Sequence, residues 1–409
     1  MLLGYHYHVP VLLRNSTPHI PSYIGVFLEE LAKNAGELIL FTHSEPNPNA
    51  DGYDMAFDHP QVKFVSMGPK TPAWDRVLRH KKHIEKVRKE LEACDAILLR
   101  APSPLSPYIF NAVHSSTPCS FLLVGDYDEG VKHLDQPFFR KWAIRLLLKK
   151  NQRDLSNAIK GKNILVNSIA IQERYQALAN KVDIVNTSTI LLKDYYSRED
   201  TCEQASIKLV FTGRFDFAKG LNELFSAWIM LQKENRYIEL HLAGWEDYPD
   251  KPVQNALLKM AQDAGIESHV RFHGKLKVGD ELNGLYRAGD IYVLPSYFEG
   301  FPRSIWEAMA NGLPVITCPV GGIPHFLKNE ENALLVPPKE VEPLYQAIIR
   351  IIEDKKMRKR LISSGRELAK GVSLETQTKR IVQIIENNNN NTNRKKETRT
   401  NIKEEENWK

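Results

Sequence analysis

The sequence predicts an α/β protein of two parallel-sheet units with a disordered C-terminal tail, and three observations carry that prediction. Short apolar runs alternate with helix-period stretches almost from end to end, as expected of strands buried on both faces by crossover helices. One polar stretch, Leu192–Ser206 (LKDYYSREDTCEQAS), interrupts the alternation near the middle and reads as a linker. From Asn387 the chain turns to five consecutive Asn, then Arg394-Lys395-Lys396 and Glu404-Glu405-Glu406. That composition holds too little apolar surface to offset the entropy of ordering.

Composition narrows the class. The 409 residues suit two domains at roughly 100–200 residues each. A hydrophobic share of 42% against 26% charged supports a large core and excludes global disorder. The four cysteines, Cys94, Cys119, Cys202 and Cys318, lie far apart with no C-x-x-C pair, which argues against a disulfide framework or thiolate zinc cage. A reducing cytoplasm fits that usage. No apolar run approaches the roughly 18–20 residues that span a bilayer. The start, Met1-Leu2-Leu3-Gly4-Tyr5-His6-Tyr7-His8, lacks the basic region and cleavage site of a secretory signal. A net charge of +5 is too even to imply nucleic acid.

In the first half the strands are expected at Glu37–Thr42, Gln61–Val65, Ala96–Arg100, Cys119–Val124 and Asn163–Val166. The helices between them are expected at Tyr23–Asn34, Asp75–Ala93, Gln136–Lys150 and Ala170–Ala179. In the second half strands fall at Ile207–Thr212, Ile238–Ala243, Val270–His273, Ile291–Leu294, Pro314–Thr317 and Ala333–Val336. Helices there are Gly220–Lys233, Asn255–Ala264, Gly279–Arg287, Arg303–Ala310 and Val341–Glu353. The domain reading is 1–195, then 196–372, a C-terminal helix 373–386 returning to the first domain, and a tail 387–409.

The second half carries the chemistry. In LVFTGRFDFAKG, a buried strand ends at Thr212-Gly213-Arg214 and a helix starts near Gly220. Ligands of open parallel sheets bind beyond the carboxyl ends of strands. Arg214 and Lys219 there either hold a diphosphate, one as a fork and the other as a point charge, or are two solvated loop charges. In IYVLPSYFEGFPRSIWEAMANGLPV, a strand ends at Pro295-Ser296 and a helix opens at Pro302 or Arg303. The N–H groups of Arg303 and Ser304 suit a phosphate at a helix N-terminus. Glu299 and Glu307, seven residues apart in between, suit hydroxyls rather than phosphate, because carboxylates only accept hydrogen bonds.

With Glu299-x7-Glu307 inside PSYFEGFPRSIWEAMANGLPVI, preceded by GRFDFAKG, the sequence resembles the retaining glycosyltransferases of family 4. The resemblance covers roughly Ile207–Val336, including Leu242-Ala243-Gly244, Val270-Arg271-Phe272-His273-Gly274 and Gly321-Gly322, and is much weaker before Ser206. It implies the GT-B fold, two Rossmann-like domains facing each other across a cleft. It also implies transfer of a sugar from a nucleotide-diphosphate sugar to a glycan or lipid-linked acceptor with retention. By the resemblance, Arg214 and Lys219 neutralise the donor diphosphate, Glu299 engages the transferred sugar and Glu307 the ribose. The stretch His273-Gly274-Lys275 borders the base, and Gly213, Gly300 and Phe301 complete the donor loops. No cofactor and no metal are implied. Two other classes stay open: a sugar-nucleotide epimerase of similar fold, and a non-catalytic sugar-nucleotide-binding protein.

The first half is less legible. The family's Gly-rich turn is replaced by Thr17-Pro18-His19-Ile20-Pro21-Ser22-Tyr23-Ile24-Gly25, where only Gly25 is small. Tyr23 either shapes the acceptor side or staples the first helix. Asp126, in Gly125-Asp126-Tyr127-Asp128-Glu129, is an acceptor-side residue, a solvated loop acid, or half of a metal-binding D-x-D like that of GT-A enzymes. Two basic stretches account for the positive surplus, Arg76–Lys89 and Phe138–Lys150 (FFRKWAIRLLLKK). In the latter, Arg140, Lys141, Trp142, Arg145, Lys149 and Lys150 either dock on an anionic membrane surface or leave a helix packed on its own sheet with solvated cations. The first option places a cytoplasmic enzyme at the inner membrane face, in cell-surface polysaccharide assembly.

Overall fold

The computed structural model describes residues 1–115, 117–124, 138–186, 188–234, 237–246 and 248–389, with residues 138–144 described as backbone alone. The chain divides into two units, Met1–Asn186 together with the described residues from Gln377, and Thr187–Thr376.

The first unit is built on a seven-stranded parallel sheet. Its strands lie in the order Lys181–Ile184, Asn163–Val166, Cys119–Leu123, Ala96–Ala101, Leu2–His6, Glu37–Ser44 and Val62–Pro69. Ala96–Leu99 and Leu38–Phe41 are buried throughout, the pattern of strands covered on both faces. The first strand carries Gly4, where a Cβ would lie 2.9 Å from Cys94 Sγ and 3.0 Å from the Phe41 ring. Between this strand and the helix Ser22–Ala35, Leu12–Arg14 and Thr17–Ile20 form a hairpin, which Met55–Ala56 joins from beyond Glu37–Ser44 to make a small antiparallel sheet. A helix over residues 374–389 buries Ile381, Val382 and Ile385 in the same cluster as Leu3, Leu28 and Leu31. The expected tail thus starts as helix at 387–389, and its remainder lies outside the described residues.

The expected helix Asp75–Ala93 is three short ones, Ala73–Leu78, His80–Glu85 and Arg88–Ala93. The breaks fall at Arg79 and Val87, whose backbones leave the helical region. His83 Nδ1 pairs with Met67 O at 3.0 Å, so the middle segment is held by its own sheet contact rather than by a continuous apolar stripe.

The second unit has a six-stranded parallel sheet, in the order Val270–Gly274, Ile238–Ala243, Ile207–Thr212, Ile291–Leu294, Val315–Thr317 and Leu334–Leu335. Helix Leu221–Lys233 buries Trp228 completely against it, and the Trp228 Nε1–H donates to Ile238 O at 2.9 Å. The polar stretch read as a linker belongs to this unit. Arg198 donates to the carbonyls of Tyr286, Arg287, Gly289, Asn311 and Gly312 at 2.9–3.3 Å. These carbonyls end the helices Asp280–Ala288 and Arg303–Ala310, where intrahelical partners run out and a cation complements the dipole. Asp200 accepts from Arg358 at 2.6 Å, both side chains 4% exposed. That pair pins the helix Lys355–Lys370.

Candidate functional site

The second sheet ends in a row of glycines. Gly213 and Gly244 follow two adjacent strands and Gly274 ends the next, and all adopt positive φ. Gly213 N–H donates to Ala243 O at 3.0 Å, and Gly244 N–H to Gly274 O at 2.8 Å. A Cβ on Gly244 would lie 1.7 Å from Gly213 O, so the strand ends interlock only through glycine. After Gly213, Asp216 caps the short 3-10 turn Phe217–Lys219 through Ala218 N–H at 2.9 Å. Gly220 follows at φ +70, and its missing Cβ leaves room for Pro295 O, which a methyl would approach to 2.1 Å. The Arg214–Lys219 loop is thereby pressed against the Pro295–Glu299 loop.

These two loops bring Lys219 and Glu299 together at 2.6 Å, with side chains 22% and 9% exposed. Ser296 Oγ donates to the same carboxylate oxygen at 2.8 Å. Gly321 and Gly322 support the loop from behind. Gly322 N–H donates to Gly300 O at 2.7 Å, and a Cβ on Gly321 would lie 1.6 Å from Glu299 O. Phe301 stacks on Trp306 at 4.2 Å between centroids and meets Phe326 edge-on at 5.0 Å, anchoring the loop to the core. Arg214 is half exposed, 3.7 Å from Asp216.

Glu307 has a different environment. It lies in the helix Arg303–Ala310 and is 7% exposed. One oxygen accepts from Tyr286 Oη at 2.9 Å and the other from Thr189 Oγ1. Tyr286 Oη also meets Thr212 Oγ1 at 2.6 Å. Burial, then the nearby Glu307 charge, push the Tyr286 hydroxyl well above its ordinary value, so it remains a donor. Tyr292 is likewise pushed up, first by burial; it bonds to Ser304 and feels both Glu307 and Glu299. Helix Arg303–Ala310 starts at Pro302 with no side-chain cap. A carboxylate has about four acceptor positions, so Glu307 retains capacity beyond its two hydroxyl donors.

His273 sits exposed at the end of Val270–Gly274. Its Nε2 lies 3.0 Å from His241 Nδ1, and His241 Nε2 lies 3.0 Å from Glu239. Burial, His241 and Arg271 lower its pKa. Lys275 Nζ lies over the Trp245 ring at 5.5 Å.

In the first unit, Gly25 is buried in helix Ser22–Ala35, where a Cβ would lie 2.2 Å from Met55 Sδ. Tyr23 is partly buried on the same turn. Asp54 accepts from Ser22 N–H at 2.8 Å and Ser22 Oγ at 2.9 Å, so a carboxylate of the chain itself occupies this helix N-terminus. Asp126 lies outside the described residues, as do the side chains of Arg140, Lys141 and Trp142. Arg145, Lys149 and Lys150 are exposed along the helix Phe138–Ile159.

Thr189, Thr212, Tyr286, Tyr292 and Ser296 were not among the residues singled out from sequence. Tyr292 alone left a signal, a hydroxyl-bearing side chain inside the otherwise aliphatic strand Ile291–Leu294.

Residues 193–368 match the family model Glycosyl transferases group 1, so the chain carries a domain of that description. Protein CapJ of Staphylococcus aureus is 26% identical over 333 residues, 77% of each chain. An uncharacterized glycosyltransferase of Methanocaldococcus jannaschii is 31% identical over 160 residues; the match spans only 39% of either chain. Among solved structures, Anabaena Alr3699/HepE in complex with UDP superposes with a TM-score of 0.69 at 17% identity, covering 95% of this chain and 100% of that one. The fold is GT-B, with two Rossmann-like parallel-sheet domains, as the resemblance implied.

Proposed function

We propose that the protein transfers a sugar from a nucleotide-diphosphate sugar to a glycan or lipid-linked acceptor, with retention of configuration, in cell-surface polysaccharide assembly. The observation that carries this reading is the Lys219–Glu299 pair beside Arg214, within the matched domain and beyond the carboxyl ends of its sheet. The pathway is supported by the likeness to the lipopolysaccharide core biosynthesis glycosyltransferase LpsE of Rhizobium meliloti, 29% identical over 229 residues, and the nucleotide by the UDP complex of the Anabaena neighbour.

Cleavage of the sugar–phosphate bond builds positive charge on the anomeric carbon and negative charge on the departing diphosphate. Lys219 and Arg214 stabilise the latter, aided by the N-terminus of helix Arg303–Ala310. An ammonium has three donors, so Lys219 holds Glu299 while reaching the diphosphate. Glu299 accepts from hydroxyls of the transferred sugar, and Glu307 from those of the ribose. In same-face attack, the acceptor oxygen bonds to the anomeric carbon as the carbon–oxygen bond to phosphate breaks, and the acceptor proton passes to the leaving phosphate. Arg214 and Lys219 supply the neutralising charge that a metal provides in other architectures.

The test is a panel of nucleotide sugars incubated with and without a pool of glycan and lipid-linked acceptors, followed by NMR of the anomeric proton. Acceptor-dependent release of nucleoside diphosphate and a product of unchanged configuration are expected. Interconversion of the nucleotide sugar alone would instead mark an epimerase, and an inverted product would remove retention.

A further inference from the structure

The carboxyl edge of the first sheet gathers cations and imidazoles from four adjacent strands. Leu2–His6 delivers His6 and, just beyond it, His8. Glu37–Ser44 delivers His43, Val62–Pro69 runs into Lys70, and Ala96–Ala101 delivers Arg100. Arg76, His83 and Lys86 come from the short helices and their junctions, and Lys86 Nζ lies so close to Gly68 that a Cβ there would reach it at 2.9 Å.

The rings are held firmly. His6 is fixed by Phe41 O at 3.1 Å and Ser103 Oγ at 2.9 Å, and His43 by Gly68 O at 3.1 Å. His43 meets His83 edge-on at 5.1 Å. Arg100 lies over the Tyr7 ring at 4.6 Å and bonds to Tyr5. Three buried nitrogens are left over: Arg100 Nε, His8 Nδ1 and His43 Nε2 have no hydrogen-bond partner. Among the described residues no carboxylate lies within ion-pair distance of Arg100, His6, His8 or His43. The nearby acids serve other cations, Glu45 facing Lys70 at 3.5 Å and Asp75 facing Arg79 at 3.1 Å.

A buried guanidinium is ordinarily paired, and buried polar atoms are ordinarily bonded. We propose that this edge binds an anionic saccharide, a sugar carrying a phosphate or carboxylate, with Arg100 on the oxyanion and His8 and His43 on hydroxyls. The inference rests on the glycosyltransferase reading, under which that saccharide is the acceptor or its terminal unit. Tautomer chemistry separates the roles. His43 Nδ1, donating to Gly68 O, leaves Nε2 as a bare acceptor in the neutral ring, suited to a sugar O–H. His8 and His43 are held neutral near pH 7. Burial, then Arg100, Arg76 and Lys70, lower His8 to about 4. Burial and Arg76 lower His43 to about 4, with smaller downward pulls from His83 and Lys86 against the raising Gly68 carbonyl. The positive charge therefore resides on the arginines and lysines, and the imidazoles act as hydrogen-bonding groups.

Calorimetric titration of the full chain with glucose 6-phosphate, glucuronate, inorganic phosphate and glucose tests this. One or both anionic sugars are expected to bind at least about tenfold more tightly than glucose or phosphate, and the better of the two identifies the anion. Arg100→Gln is expected to weaken that binding about tenfold or more, and His43→Gln to weaken the sugar without changing inorganic phosphate. Lys70→Gln, at an exposed position, keeps the test alive if Arg100→Gln fails to fold, and should weaken binding a few-fold. Equal affinity for glucose and both anionic sugars, or wild-type affinity in the folded variants, overturns the proposal. Titration of UDP, GDP and ADP into the same preparation reports on the second unit. Nucleotide binding without anionic-sugar binding removes this site alone; the reverse removes the glycosyltransferase reading and leaves the site.

Discussion

Replacing Lys219 by Met strands a carboxylate. Glu299 is 9% exposed at its side chain and keeps Ser296 Oγ, at 2.8 Å, as its remaining partner among the described residues. Breaking a fully buried ion pair costs about 3–5 kcal/mol, while an exposed pair contributes about 0–1. Lys219, at 22% exposure, lies between these limits, so Lys219→Met should destabilise by about 2 kcal/mol. Glu299→Gln leaves an ammonium that water still reaches, and should cost about 1 kcal/mol. The double variant removes both charges together and should cost about 1.5 kcal/mol, not the sum of about 3, a coupling of about 1.5. Urea unfolding of the four proteins, with the m-value checked for constancy, measures the cycle. Additivity within about 0.5 kcal/mol would show that the two charges do not hold each other, and the site would lose its organising contact.

Gly220→Ala combines a positive φ of +70 with a methyl 2.1 Å from Pro295 O, so urea unfolding should show a loss of about 3 kcal/mol or more. Gly274→Ala is its control: at φ +68 with nothing within 4 Å, it should cost only about 1 kcal/mol. Transfer should persist in excess EDTA, because Arg214 and Lys219 supply the charge at the diphosphate; activity lost with EDTA and restored by manganese would return attention to the Asp126-x-Asp128 motif. If the exposed Arg145, Lys149 and Lys150 dock the protein on anionic lipid, vesicles containing phosphatidylglycerol should co-sediment with wild type and release the triple Gln variant, each cation contributing about 1 kcal/mol. Equal, negligible sedimentation of both would favour a water-borne acceptor.

The second sheet was legible because its strands are short aliphatic runs covered on both faces: Ile291–Leu294 is wholly buried, and Ile207–Thr212 nearly so. The first strand, Leu2–His6, escaped because Gly4, Tyr5 and His6 break the aliphatic pattern, although every residue after Leu2 is buried. Those deviations are where the chain needs them, Gly4 for close approach to Cys94 and His6 for the cluster at the sheet edge. The helix Lys355–Lys370 was hidden by its charge. Arg358 reads as surface but is buried on Asp200, 158 positions away in sequence. The glutamates were visible from spacing and loop context. Their different surroundings were not, since Thr189 reaches Glu307 across 118 positions and Lys219 reaches Glu299 across 80. Such contacts follow from how the strands are ordered, which no local window contains.

In the proposed reaction Arg214 and Glu299 act on a nucleotide-sugar donor. The most direct measurement is nucleoside diphosphate release from the preferred donor in the presence of acceptor, by wild type, Arg214→Ala and Glu299→Ala, each first shown to be folded. Loss of one preorganised electrostatic contact at the transition state is worth about 3–4 kcal/mol, so each variant should fall at least about 100-fold in kcat. Near-wild-type rates in both would contradict the account and place the chemistry elsewhere in the chain.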